Sequence, residues 1–334
     1  MKTRYLLALL FAILWCSVAH AQGGFPPLPP VPKTGELTDD PTQTNFTFIA
    51  AGDNRPATST SPQPATLSQL LKDSKQHNPI FMIWSGDIIA GFRTAGKPMH
   101  KPTLEKQYKE FFKIAATAGV PIFNTPGNHE MDVISKASKN EHFETPDEKM
   151  QALYLKMMEY PANAPAYGAF NYGNSRFIAV NTEEVPPITA VRSEGKTVAN
   201  KLKLDPGFVS PQQIELLTAD LEANKGKTHI FIFMHHPIRP AKKGSRLNKE
   251  NADALETLFA QYPNVSYVIA AHEHIYFNAG GGKGGPIYVV SGGAGAPLDS
   301  CPKHAGKHCS NTHHYLVFEV KGSKVDMKMV KLNP

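Results

Sequence analysis

Five apolar runs, each ending in a side chain that can bind a metal ion, constrain the fold of this chain more than any other feature. The runs are apolar on both faces, which is typical of central strands covered on two sides. Turn residues bound each run, and helical patterns lie between them. The runs are 46–53, 79–87, 120–128, 228–236 and 267–274.

Strands that alternate with helices predict an α/β domain with much parallel pairing. Ser210 followed by Pro211 is typical of a helix N-terminus. The helical patterns cover 65–77, 103–118, 211–224 and 249–262, and further strands are predicted in 166–184, 285–298 and 313–330, the last as a hairpin. The polar segments 131–165 and 183–209 are interpreted as irregular insertions over one face of the sheet.

The first 21 residues are predicted to be a secretory signal peptide. Lys2 and Arg4 precede an apolar run at 6–18, and "AHA" at 19–21 has the form of a cleavage site. The run is shorter than the roughly 20 residues that span a bilayer. We therefore expect a periplasmic or secreted protein without a stable membrane anchor after cleavage.

The proline-dense start of the mature chain is interpreted as an extended spacer over 22–44. The remaining residues, 45–334, are predicted to form a single domain. The whole chain has 35 basic and 29 acidic residues. Since no basic run is dense, we expect no nucleic-acid partner.

Two cysteines remain after the predicted cleavage, Cys301 and Cys309. Close cysteines in an exported protein usually pair, so a disulfide is favoured. The alternative is a metal site, because His304 and His308 lie between them.

The polar side chains at the strand ends are expected to meet, because the carboxyl ends of parallel strands lie along one edge of a sheet. Carboxylate, amide oxygen and imidazole together suit a borderline divalent metal. The set exceeds what one tetrahedral ion binds, so two ions are predicted. The candidate ligands at the strand ends are Asp53, Asp87, Asn128, His235 with its neighbour His236, and His272 with His274.

The motifs "GDNR", "SGDIIAG", "PGNHE", "MHHP" and "AHEH" occur in this order along the chain. Their order resembles that of the calcineurin-like metallophosphoesterase superfamily. The resemblance implies a four-layer α/β/β/α sandwich of two mixed sheets. It also implies hydrolysis of a small phosphate ester, either a monoester or a diester, with two divalent ions such as manganese, zinc or iron.

The resemblance also implies roles for individual residues. Asp87 would bridge the two ions. His129 would bind no metal and would protonate the leaving oxygen, held in position by Glu130. Asp53 and His274 would complete one metal site, and Asn128, His235 and His272 the other.

Three positions depart from the family pattern. Arg55 stands where a ligand histidine is usual; it could bind the substrate phosphate or pair structurally with an acid. Ala90 replaces the ligand tyrosine of purple acid phosphatases, which argues against that branch. Ala271 replaces a glycine, which is a small change.

His236 is expected to support the site or to lie in the core, because adjacent strand residues point to opposite faces.

A second hypothesis is a non-catalytic phosphate-binding or ligand-binding protein on a scaffold whose first metal site is eroded at Arg55. The pair His129 and Glu130 favours the enzyme, because binding alone has no use for a proton donor. His313 and His314 could reach the same edge of the sheet or be ordinary strand residues.

Overall fold

A computed structural model describes residues 27–31, 33–58, 60–91, 101–131, 148–161, 164–184, 207–245, 247–281 and 284–333. The predicted signal peptide and residues 132–147 and 185–206 of the predicted insertions lie outside these ranges. The strands are β1 (Lys33–Thr34), β2 (Asn45–Ala51), β3 (Phe81–Trp84), β4 (Ile122–Asn124), β5 (Gly168–Tyr172), β6 (Ser175–Val180), β7 (His229–Met234), β8 (Val265–Ala270), β9 (Tyr276–Gly281), β10 (Ile287–Ser291), β11 (Cys309–Ser310), β12 (His314–Lys321) and β13 (Lys324–Lys331). The α-helices are α1 (Ala65–Ser74), α2 (Lys101–Ala115), α3 (Asn128–Met131), α4 (Glu148–Met157), α5 (Pro211–Ala223) and α6 (Lys249–Ala260).

Two mixed sheets contain these strands. In the first sheet the order is β1-β4-β3-β2-β12-β13, and β2, β3 and β4 are parallel. In the second the order is β11-β9-β10-β8-β7-β6-β5, and β6, β7, β8 and β10 are parallel. The parallel strands include all five apolar runs, so the predicted parallel pairing is confirmed.

Aromatic side chains fill the space between the two sheets. Phe48 of β2 stacks on Phe318 of β12 and meets Phe231 of β7 edge-on, at centroid distances of 4.7 and 4.9 Å. The helices α1, α2 and α4 cover the outer face of the first sheet, and α5 and α6 cover that of the second. The result is the predicted four-layer sandwich, because both faces of each sheet are apolar and need a cover.

The Pro-rich segment is not a free spacer in its described part. Leu28 is buried under the second sheet and Val31 between the sheets. Residues 33–34 pair with β4, and Pro29 O accepts a hydrogen bond from Ala169 N at 2.7 Å. Proline lacks an N–H but keeps its carbonyl and apolar ring, so such a segment can pack along an edge. A domain boundary at residue 45 stays a prediction.

The segment 131–165 also differs from its interpretation as irregular. Residues 148–157 form α4, which buries Leu153, Tyr154 and Leu155 in the core outside the first sheet. The surrounding polar residues hide this short apolar pattern in the sequence.

Cys301 and Cys309 form a disulfide, which confirms the pairing that the sequence favoured over a metal site. Within the described ranges, we find no helix whose length and apolar character would let it cross a lipid bilayer.

Candidate metal centre

Three of the predicted ligands adopt an unusual backbone conformation where their strands end. Asp53, Asp87 and His272 have φ angles of 61°, 57° and 68°. Few residues other than glycine adopt this left-handed conformation, and it costs free energy. Each of these residues lies in the turn that follows its strand, two or three residues after the strand ends. Such strain is typical of functional sites.

One group of acceptor atoms consists of Asn128, His235 and His272. His235 Nε2 lies 3.0 Å from Asn128 Oδ1, and His272 Nδ1 lies 3.2 Å from each of these two atoms. Three ligand atoms at about 2.1 Å from one ion stand about 3.0–3.4 Å apart. The spacing of this group therefore fits a single divalent ion.

The protonation of these rings also suits a metal. His235 donates its Nδ1–H to Ser85 O at 2.7 Å, which leaves the lone pair of Nε2 facing the group. Burial lowers the pKa of His235, and burial with repulsion from His236 and His235 lowers the pKa of His272. Both rings are therefore neutral near pH 7, the form that binds metal.

A second group consists of Asp53, Asp87 and His274. Their ligand atoms all lie within 4.8 Å of one another. Both carboxylate oxygens of Asp53 are buried without a hydrogen-bond partner of good geometry among the described residues, and the N–H of His272 offsets their burial only in part. Burial, and then the charge of Asp87, raises the pKa of Asp53 well above its usual range. A buried carboxylate that is only partly compensated is costly unless a cation neutralises it, so this group fits a second ion.

Asp87 lies between the two groups. Its Oδ1 is 3.4 Å from His235 Nε2, while its Oδ2 is 3.6 Å from Arg55 Nε. Burial alone would raise its pKa, but the attraction of His129, His235 and Arg55 outweighs burial and lowers it. Gly127 makes room for this carboxylate, since a Cβ there would lie 2.3 Å from Asp87 Oδ1. The position suits the predicted bridging role.

Arg55 points into the centre, and its side chain is 19% exposed. Its Nε has no hydrogen-bond partner among the described residues. The nearest acid is Asp87, which belongs to the centre itself, so the structure brings the guanidinium to the place where substrate and metal would meet.

His129 lies at the edge of the centre. Its Nδ1 donates to Ala90 O at 2.6 Å, and its Nε2 is 3.7 Å from Asp87 Oδ2. Because a carbonyl can only accept, the ring orientation is fixed and Nε2 faces the centre. The main-chain carbonyl of Ala90 is therefore one of the groups that orient the His129 ring.

The side chain of Glu130 accepts hydrogen bonds from main-chain N–H groups, and its orienting role toward His129 stays a prediction. Glu130 Oε2 accepts from the N–H groups of Asp87 and Gly127, and Oε1 accepts from those of Ile88 and Ile89, at 2.7–3.1 Å. Its carboxylate thereby joins the turn after β3 to the turn after β4. Burial, and then the charge of Asp87, raises its pKa, while these N–H groups oppose the shift.

Several partners of the centre could not be found from the sequence. His236 Nδ1 meets Glu183 Oε1 at 2.6 Å, and its ring packs 4.0 Å from that of His272, so it supports the site. Main-chain carbonyls hold His129, His235 and His274, and no sequence signal marks a carbonyl. His314 is bonded to Ser291 and Thr312 instead of reaching the centre.

The comparison with known families agrees with this geometry. The sequence profile described as calcineurin-like phosphoesterase matches residues 46–276. The chain belongs to the calcineurin-like phosphoesterase family. The matched range includes every residue of both ligand groups. No curated protein matches the sequence significantly.

Solved structures share the fold of this phosphoesterase. A dimetal phosphatase from Danio rerio is 17% identical with a TM-score of 0.57, over 87% of this chain and 96% of that chain. PhoD is 11% identical with a TM-score of 0.58, over 91% of this chain and 70% of that chain. GAP50, the anchor in the inner membrane complex of Plasmodium, is 14% identical with a TM-score of 0.53, over 86% of this chain and 85% of that chain.

Proposed function

We propose that this phosphoesterase is an exported hydrolase of small phosphate esters that holds two divalent ions. The observation that carries the proposal is the pair of adjacent ligand groups that meet at Asp87, with His129 Nε2 3.7 Å from the same carboxylate. When bound, two such ions polarise the phosphoryl group and activate a water molecule for attack at phosphorus. Manganese, zinc and iron all suit the mixed oxygen and nitrogen ligands.

Residues of the chain supply the other parts of the reaction. Arg55 binds the phosphate through charge-assisted hydrogen bonds, since its guanidinium stays charged at all working pH values. In its doubly protonated form, His129 would donate the Nε2 proton to the leaving oxygen and keep its Nδ1–H hydrogen-bonded to Ala90 O. Glu130 keeps the turns that carry Asp87 and His129 in register.

A hydrolysis screen tests the proposal. Metal-loaded protein should hydrolyse an aryl phosphate or a bis-aryl phosphate, lose this activity with a chelator, and regain it with manganese, zinc or iron. The ratio of the two rates decides between monoesterase and diesterase. If metal-treated protein hydrolyses neither compound and carries fewer than two ions, the non-catalytic ligand-binding alternative with a metal site eroded at Arg55 replaces the enzyme.

Export is tested separately. The "AHA" motif at 19–21 supports cleavage before Gln22. Expression of the full chain in a bacterial host should give a periplasmic or secreted product. Its intact mass should equal that of a chain that begins at Gln22. A cytoplasmic product that keeps its first residues would contradict export.

A further inference from the structure

The surroundings of His274 differ from those of the other ligand histidines. His274 makes three contacts with one loop, 297–299. Its Nδ1 donates to Pro297 O at 2.7 Å, its N–H donates to Asp299 Oδ2 at 3.2 Å, and its O accepts from Asp299 N at 3.0 Å. The first contact leaves Nε2 facing Asp53, 3.9 Å from Oδ1. The ring orientation therefore depends on where this loop lies.

Asp299 also ties the loop to a second segment. Its Oδ2 pairs with Lys242 Nζ at 2.8 Å, and both side chains are 34% exposed. The neighbouring Glu273, by contrast, is buried and accepts from the N–H groups of Ala241 and Lys242. Segment 241–242, the loop around His274 and loop 297–299 are thus joined by the ion pair of Asp299 with Lys242 and by the backbone hydrogen bonds to Glu273.

The disulfide holds the far end of the same loop. Cys301 follows Asp299 by two residues and is bonded to Cys309, which pairs with Phe277 in β9. The closed loop packs through Ala305 against Ala241 and Ile275. His304 Nε2 adds a hydrogen bond to Ala241 O at 2.9 Å. The covalent loop therefore rests on the segments that carry Lys242 and His274.

We propose that Asp299, paired with Lys242 and held by the Cys301–Cys309 disulfide, is a positioning residue that keeps His274 Nε2 directed at the metal site of Asp53. The proposal rests on the two-ion function proposed above. Partners that orient a ligand histidine change metal affinity by about 10- to 100-fold. The Asn128–His235–His272 group has none of these contacts among the described residues, so only one of the two ions should respond.

Metal content tests the proposal. Wild-type protein loaded with zinc and passed through a desalting column should keep two ions per chain. Asp299→Ala and the double variant Cys301→Ser/Cys309→Ser should each keep one, with at least tenfold weaker zinc affinity for the other. Asp299→Asn keeps a hydrogen-bond acceptor but loses the charge. Its zinc affinity at this site should therefore lie between those of wild type and Asp299→Ala. Asp253→Asn is the matched control, because it breaks an exposed ion pair with Lys249 on α6.

A second measurement needs no metal. In chelator-treated protein labelled with ¹⁵N-histidine, the His274 ring should be the Nδ1–H tautomer in wild type and a mixture of tautomers in Asp299→Ala, with His274→Gln as the assignment control. Two ions bound with wild-type affinity in both Asp299→Ala and the cysteine variant, or an unchanged tautomer, would overturn the positioning role. A wild-type chain that binds fewer than two ions would instead overturn the proposed two-ion function, and the positioning role with it.

Discussion

Arg55 is the residue at which this chain departs most from its family pattern, and its position beside Asp87 makes it testable. Loss of a charge-assisted contact costs about 1.5–3 kcal/mol, or about 10- to 150-fold in kcat/KM. We expect Arg55→Ala to lose activity in this range while it keeps its metal. Arg55→His, which restores the usual ligand, should bind the ion at Asp53 and His274 more tightly. Wild-type kinetics and phosphate inhibition in Arg55→Ala would exclude a substrate contact.

His129 can be tested through the leaving group. General acids contribute about 10²- to 10⁴-fold, and the contribution grows as the leaving oxygen becomes more basic. We expect His129→Asn to lower kcat at least about 100-fold on an alkyl phosphate but much less on nitrophenyl phosphate, whose phenolate leaves without a proton. As the control, His129→Asn should bind the same number of metal ions per chain as wild type. An equal loss on both substrates would argue against proton donation.

Glu130 is expected to act on stability more than on proton transfer. Its carboxyl group accepts four backbone hydrogen bonds in the core, and a buried donor left without its partner costs about 1–3 kcal/mol. Glu130→Gln places an NH₂ donor against N–H donors, so urea unfolding should show a loss of about 3 kcal/mol or more. The exposed Glu222→Gln is the control. Unchanged stability with a lowered kcat would support the orienting role.

At the scale of elements, the central strands could be predicted because each is apolar on both faces and ends in a polar turn. The edge strands β1 and β11 could not, since each has two residues, and neither could β9, which is only partly buried. The carboxyl ends of parallel strands lie along one edge of a sheet. The polar residues that follow the predicted strands could therefore be expected to meet there as ligands. The contacts of Glu130 and the carbonyl partners depend on turn geometry, which residue types alone do not determine.

The strand β12 contains a buried titratable group outside the centre. Burial lowers the pKa of His314 from 6.5 to about 4. Between these values the unfolded chain binds a proton that the folded chain does not, so stability is full above about pH 6.5 and falls as the pH drops toward 4. The shift corresponds to an upper value of about 3 kcal/mol.

We therefore expect His314→Gln to flatten the pH dependence of urea unfolding in this window. Both proteins should be measured with a chelator, so that the buried histidines of the centre contribute equally to each. His308→Gln, which changes an exposed histidine, is the control and should follow wild type. A variant that loses stability equally at pH 7.5 and pH 4.5 would show that His314 packs without titrating.

At the scale of the whole molecule, the ligand groups join the two sheets. Asp53, Asp87 and Asn128 follow β2, β3 and β4 of the first sheet, while the ligand histidines follow β7 and β8 of the second. Both groups contain ligands from each sheet, so a bound ion connects the two halves of the sandwich. Metal binding should therefore stabilise the entire domain, not only its loops.

We expect calorimetry to show this coupling. A ligand at 100 times its Kd stabilises the folded state by about 2.7 kcal/mol, which corresponds to a rise in Tm of about 4 °C for one site in a domain of this size. Addition of zinc or manganese to chelated protein should raise Tm by at least this amount in a single transition. The double variant Asp53→Asn/His272→Ala, which removes one ligand from each group, should lose the rise. An equal rise in that variant would mean that the metal binds elsewhere, and two separate transitions would mean that the ions stabilise each sheet independently.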